Sequence, residues 1–169
     1  TPVLISNSAP TNLTVDITSN TDFYNDSTLL CAATANDADS ADTLAYDYLW
    51  STGDSGDTLI LDGSISPGAS ITCNATANDG TDSIYSSTDI GVINRVPVIE
   101  TANLTPDSPT AETTEFNCTA TATDADGESV TLSYAWNVDG VLQTESSPTM
   151  TGNFAYGQNI ECTVTPYDA

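Results

Sequence analysis

The chain contains no histidine and no lysine, and its single cationic side chain is Arg95. These absences exclude a Ser–His–Asp triad, a Cys–His pair and a lysine Schiff base. Against that one cation stand 24 acidic residues, for a formal net charge of −23. A surface so one-sided repels nucleic-acid phosphates and anionic membrane faces. It suits a cationic partner such as Ca²⁺, or high salt that screens self-repulsion. No stretch of 18 apolar residues exists, so membrane insertion by a hydrophobic helix is not expected. Paired carboxylates could in principle hydrolyse glycosides. With 24 acids, close pairs arise by chance, and the chain is not expected to be an enzyme.

What the chain does have is order among its apolar residues. "CAATANDAD" from Cys31 is matched by "CTATATDAD" from Cys118, 87 residues on. "YLW" ending at Trp50 is matched by "YAW" ending at Trp136, and "NSAP" from Asn7 by "NRVP" from Asn94. "ITCNATANDG" around Cys73 is matched by "IECTVTPYDA" around Cys162. Within the repeats the apolar period is two. Leu29, Cys31, Ala33 and Ala35 alternate with Leu30, Ala32 and Thr34, as Phe116, Cys118, Ala120 and Ala122 do with Asn117, Thr119 and Thr121. Ile71, Cys73, Ala75 and Ala77 share one face, and so do Tyr134, Trp136 and Val138. Such runs between Asp/Gly/Asn turns are strands, and no segment carries a helical stripe. The expected fold class is all-β. A disordered acidic chain would not need this alternation.

The four cysteines, Cys31, Cys73, Cys118 and Cys162, are even in number and regular in position, which points to an oxidising, extracellular setting. A four-cysteine zinc site would need a C-x₂₋₄-C spacing that is missing. Five N-x-S/T sequons, at Asn12, Asn25, Asn74, Asn103 and Asn117, are candidate glycosylation sites. Asn and Thr are also good polar strand-surface residues. The chain starts at Thr1 without Met or signal peptide, as a mature product or a fragment would.

Cys…Trp…Cys on three successive strands resembles the immunoglobulin-like sandwich, with cysteines on strands B and F and tryptophan on strand C. The Cys–Trp gaps are 19 and 18 residues and the Cys–Cys gaps 42 and 44, short for antibody domains. They look more like compact Ig-like or PKD-like repeats of archaeal and bacterial surface proteins. One departure is that the tyrosine-corner positions hold Ile71 and Ile160. The resemblance implies disulfides Cys31–Cys73 and Cys118–Cys162. It also implies two tandem sandwiches, residues 7–93 and 94–169.

Aligning "NSAP" with "NRVP" sets residues 1–6, "TPVLIS", opposite 88–93, "TDIGVI", the expected last strand (G) of the first sandwich. The second sandwich then lacks its own strand G. Residues 1–6 become a donor-type strand, with Val3 and Ile5 as inward anchors matching Ile90 and Val92, and Leu4 facing outward or packing on the linker. A strand donated to a neighbour's open edge builds a head-to-tail homopolymer. A window cut from a longer tandem array has the same pattern. The expected function is a structural subunit or repeat segment of an extracellular filament, stalk or surface layer. The alternatives are an adhesin- or receptor-type module recognising a glycan or protein, with Phe23, Tyr24 and Tyr85 as its candidate aromatics, and an accessory domain of an extracellular enzyme.

The implied B–C and F–G loops lie at one end of such a sandwich and are acidic. Asp37 and Asp39, followed by Asp42, with Asp79 and Asp82, mark the first repeat; Asp124, Asp126, Glu128 and Asp168 mark the second. Hard oxygen ligands on convergent loops suit Ca²⁺, so Asp124, Asp126, Glu128, Asp168, Asp37, Asp39 and Asp79 are candidate ligands of a structural Ca²⁺. No other cofactor is expected. The plainer reading of D-x-D is turn chemistry and solvated charge, and neither loop has the full EF-hand pattern. Arg95 either pairs with acids of an adjoining domain or lies exposed and contributes little.

Overall fold

A computed structural model describes residues 2–168, which divide into two compact units, Thr1–Asn94 and Arg95–Ala169. The described residues form twelve strands and no helix. Unit 1 holds β1 (Thr11–Ser19), β2 (Thr28–Asn36), β3 (Ala45–Trp50), β4 (Thr58–Ile60), β5 (Ser70–Asn78) and β6 (Ser83–Gly91). They form two antiparallel sheets, β1-β2-β4 and β3-β5-β6. Unit 2 holds β7 (Val98–Thr105), β8 (Glu115–Thr123), β9 (Thr131–Val138), β10 (Val141–Leu142), β11 (Thr149–Thr151) and β12 (Ile160–Tyr167). Its sheets are β11-β8-β7 and β10-β9-β12.

In each unit a disulfide ties one sheet to the other. Cys31 on β2 joins Cys73 on β5, and Cys118 on β8 joins Cys162 on β12. Both pairings are those implied by the resemblance. Beside each bridge lies a fully buried tryptophan, Trp50 or Trp136. Each indole N–H donates to a backbone carbonyl, Trp50 to Gly56 and Trp136 to Ser147, at 2.9 Å in both units. Burial without that bond would leave a donor unsatisfied. Two sheets joined by a cystine on a tryptophan make each unit a β-sandwich.

The alternation read in the sequence is the alternation of burial. On β2, Leu29 and Cys31 are buried, while Leu30, Ala32 and Thr34 are exposed. On β5, Ile71, Cys73, Ala75 and Ala77 are all buried. Three features depart from expectation. The last strand of unit 1 begins at Ser83, ahead of the expected 88–93; Ser83, Tyr85 and Ser87 face water and Ser86 faces inward, which hides the apolar period. The short strands β4, β10 and β11 carry too few residues to show a period. Residues 2–10 have no regular secondary structure, because an extended segment becomes a strand only beside a partner edge.

The cores differ in size. Nine buried residues form that of unit 1, including Val92 just beyond β6; four form that of unit 2: Phe116, Cys118, Trp136 and Met150. Small cores make the cystines a large share of stability. Their loops of 42 and 44 residues restrict the unfolded chain by about 4 kcal/mol each. Reduction is expected to lower the urea-unfolding free energy of each unit by about that amount, with unit 2 melting first. Equal urea midpoints with and without reductant would refute this.

Candidate functional site

Two structures stand out beyond the sandwich frame: the acidic loops after β2 and β8, and the outer edge of β12. The loops share one design. In the first, Asp39 N–H donates to Asp37 Oδ1 at 2.7 Å; in the second, Asp126 N–H donates to Asp124 Oδ1, also at 2.7 Å. Each is an Asx turn, folding the D-x-D on itself. The second aspartate then clamps the segment that leads into the unit. Ser8 N–H donates to Asp39 Oδ2 at 2.6 Å, and Arg95 N–H to Asp126 Oδ2 at 2.5 Å. Ser8 and Arg95 occupy matching places in "NSAP" and "NRVP", so repeat register explains the shared clamp.

The clamps differ in charge. The Asp126 side chain is fully buried, and Arg95 closes on its Oδ1 with Nε at 2.9 Å and a terminal nitrogen at 2.8 Å. That nitrogen also donates to Ala125 O. Arg95 is therefore a structural cation within its own unit, and Asp126 is engaged at both oxygens. Unit 1 has Ser8 in that place and no cationic side chain.

Carboxylate oxygens converge in both loops. One oxygen from each of Asp37, Asp39 and Asp42, and one from each of Asp124, Asp126 and Glu128, lie within 4.8 Å of one another. Three oxygens, Asp37 Oδ2, Asp124 Oδ2 and Glu128 Oε2, are sealed from solvent without a hydrogen-bond partner. Desolvation, then the charges of Asp168, Asp124 and Asp126, raise the Glu128 carboxyl above its ordinary range. Asp168 thus sits by the second loop. Asp79 is used differently: its Oδ1 accepts from Thr81 and Asp82 N–H, and its Oδ2 accepts from the Asn7 amide at 3.0 Å. Asn7 also reaches Asp82, so residues 7 and 8 tie both acidic loops of unit 1.

The β12 edge is the second feature. In unit 1, β5 lies between β3 and β6. In unit 2, β12 pairs with β9 over its whole length and, among the described residues, with nothing on its other side. The consequence is measurable along equivalent residues. Ile71, Cys73, Ala75 and Ala77 are 3%, 0%, 0% and 0% exposed, whereas Ile160, Cys162, Val164 and Pro166 are only half-buried. A groove of about 470 Å³ between β7 and β12 is lined by Leu104, Cys118, Ile160 and Cys162. A second, of about 720 Å³, adjoins it through Leu104 and Ile160 and reaches Phe116, Phe154 and Tyr156. Val3, Leu4 and Ile5 are 90%, 92% and 92% exposed. No protein-family model matches the chain, and no curated protein matches it either.

The remaining sequence candidates fall in separate places. Phe23 packs on the unit 1 core, the Tyr24 hydroxyl donates to Asp22, and Tyr85 projects outward from β6. Asn12, Asn74 and Asn103 are exposed, and Asn117 is half-buried under bonds to Glu115 and Thr149. Asn25 is 2% exposed, so the folded chain does not present it for glycosylation. No helix among the described residues is long and apolar enough to cross a membrane. The two disulfides point to an oxidising compartment.

Two outcomes test the clamps. Replacing Arg95 with Ala leaves a buried carboxylate without its cation and is expected to destabilise unit 2 by about 3 kcal/mol in urea unfolding; no change would refute the clamp. Asp79 is held below its ordinary 3.8 by the Asp82 N–H first, then Asn7 and Thr81. A depressed carboxyl stabilises the fold above its unfolded pKa and loses that contribution as pH falls through the folded value. Asn7→Ala should raise the Asp79 midpoint in a carboxyl NMR titration; an unmoved midpoint would sever residue 7 from the loop.

Proposed function

We propose that this chain is a structural repeat segment of an extracellular filament, stalk or surface layer, built from Ig-like sandwiches joined through their last strands. The observation that carries this reading is the contrast within one molecule. The edge of β5 is covered by β6 and its inward face is sealed, while the equivalent edge and face of β12 are open. An open edge beside an apolar groove recruits a strand, because the strand satisfies backbone groups and buries side chains together.

Residues 2–6 of another copy fit that role. In the register of β6 on β5, Ile71 faces Ile90 and Ser70 faces Gly91. Val3 and Leu4 take the places of Ile90 and Gly91 in the repeat, so Val3 would face Ile160. Ile5 takes the place of Val92, which is 4% exposed in unit 1. It would enter the groove lined by Phe116, Phe154 and Ile160. The contact is heterologous and propagates head to tail. A covalent continuation of the chain would supply the same strand to the same edge, so a tandem array uses the same joint. The strong negative charge keeps faces other than this joint from associating.

Light scattering and electron microscopy of residues 1–169 beside 7–169, and beside full-length Ile5→Asp, separate the two joints. Filaments from the first alone are the outcome expected for donation. Monomers from all three would overturn donation between copies and leave the covalent array. Filaments from all three would overturn the role of residues 2–6.

A further inference from the structure

We infer that the acidic loop of each unit holds a divalent cation, with Ca²⁺ the ion its oxygens suit. Clustered acids alone are ordinary on so acidic a surface. What distinguishes these is the state of three oxygens: Asp37 Oδ2, Asp124 Oδ2 and Glu128 Oε2 have neither solvent nor a hydrogen-bond donor. An ionised carboxylate only accepts, so a donor or a cation must satisfy it. The Asx turns have already assigned the other oxygen of Asp37 and of Asp124 to backbone N–H groups. Each first aspartate therefore gives one oxygen to its own loop and keeps the other without a donor, in a group of three residues that each bring a carboxylate oxygen within 4.8 Å of the others. The D-x-D pair recurs at matching places, Asp37 and Asp39 with Asp124 and Asp126, and each loop adds a third acid at a place of its own, Asp42 or Glu128.

Among the described residues no side-chain or backbone donor reaches these three oxygens. The chain contains no lysine or histidine, and Arg95 is committed to Asp126 and the Ala125 carbonyl. Unit 1 has no cationic side chain at all. Asp126 is thus the anchor of Arg95, and Asp124 and Glu128 are the carboxylates of this loop that keep an oxygen without a donor. In unit 1 Asp39 holds Ser8 in the same way, leaving Asp37 and Asp42. Loop carboxylates completed by water suit the irregular 6–8 oxygen shell of Ca²⁺ better than the strict octahedron of Mg²⁺. This inference stands apart from strand donation, since it concerns loops within each unit.

The test is calorimetric titration of the EDTA-treated chain with CaCl₂, together with its melting curve. Two ions per chain are expected, with the melting temperature of each unit raised by about 10–20 °C at a hundredfold excess over Kd. Asp124→Asn with Glu128→Gln should remove one ion, and Asp37→Asn the other. Because these changes relieve repulsion, the variants should melt above the parent chain in EDTA, which also shows that they fold. Exposed Asp47→Asn should retain both ions. The inference is overturned if no saturable heat appears. It is overturned equally if NaCl at matched ionic strength gives the same rise, or if Asp47→Asn loses as much as the loop variants; an equal rise with MgCl₂ would overturn the choice of Ca²⁺.

Discussion

Each unit depends on a cystine laid across two sheets against a buried tryptophan. A sandwich of fewer than a hundred residues buries too little apolar surface for ample stability. Here the inner strands carry small residues such as Ala75 and Ala77, which lets the sheets approach but contributes little transfer energy per residue. Cys31–Cys73 and Cys118–Cys162 compensate by restricting the unfolded chain, and Trp50 and Trp136 fill the space beside them. Strand order, the loop ends and the exposed edges all hang on those two centres.

Among the described residues, unit 2 repeats the frame of unit 1 but has no strand beside β12 where β6 lies beside β5, and this makes the molecule its own control. The cystine, the tryptophan with its indole bond, the Asx turn and the clamp on the leading segment all recur. What does not recur is the cover on the second-cysteine strand. The loss appears as half-burial along β12, a groove beside it and a smaller core. An edge of that kind is a liability unless something covers it. The exposed Val3, Leu4 and Ile5 are the complementary liability, an apolar segment without a face to lie on. In the proposed joint each would cover the other.

Electrostatics organises the loop ends. With one cation among 24 acids, charge balance is local and deliberate. Arg95 is placed where it serves Asp126 from both backbone and side chain, which a flexible surface pair does not do. In unit 1 the neutral Asn7 and Ser8 supply donors instead, so the segment is held without neutralising the loop.

Much of this was legible in the sequence. Side-chain alternation has a period of two whatever the fold, so Leu29, Cys31, Ile71 and Cys73 declare their inward face without coordinates. The 87-residue offset between Cys31 and Cys118 sets one repeat on the other and brings residues 1–6 opposite 88–93, at the end of the last strand of unit 1. Local chemistry also marks the D-x-D turns. Tertiary structure alone decided which oxygens are left over, because solvent access depends on loops distant in sequence closing together. It alone separated Asp79, taken by Asn7, from Asp37, left facing its cluster. It alone showed that Asp126 is buried beneath Arg95, 31 residues away, and that Asn25 is hidden. Residue type and spacing determine which face a side chain takes; burial and pairing across long loops determine what it meets there.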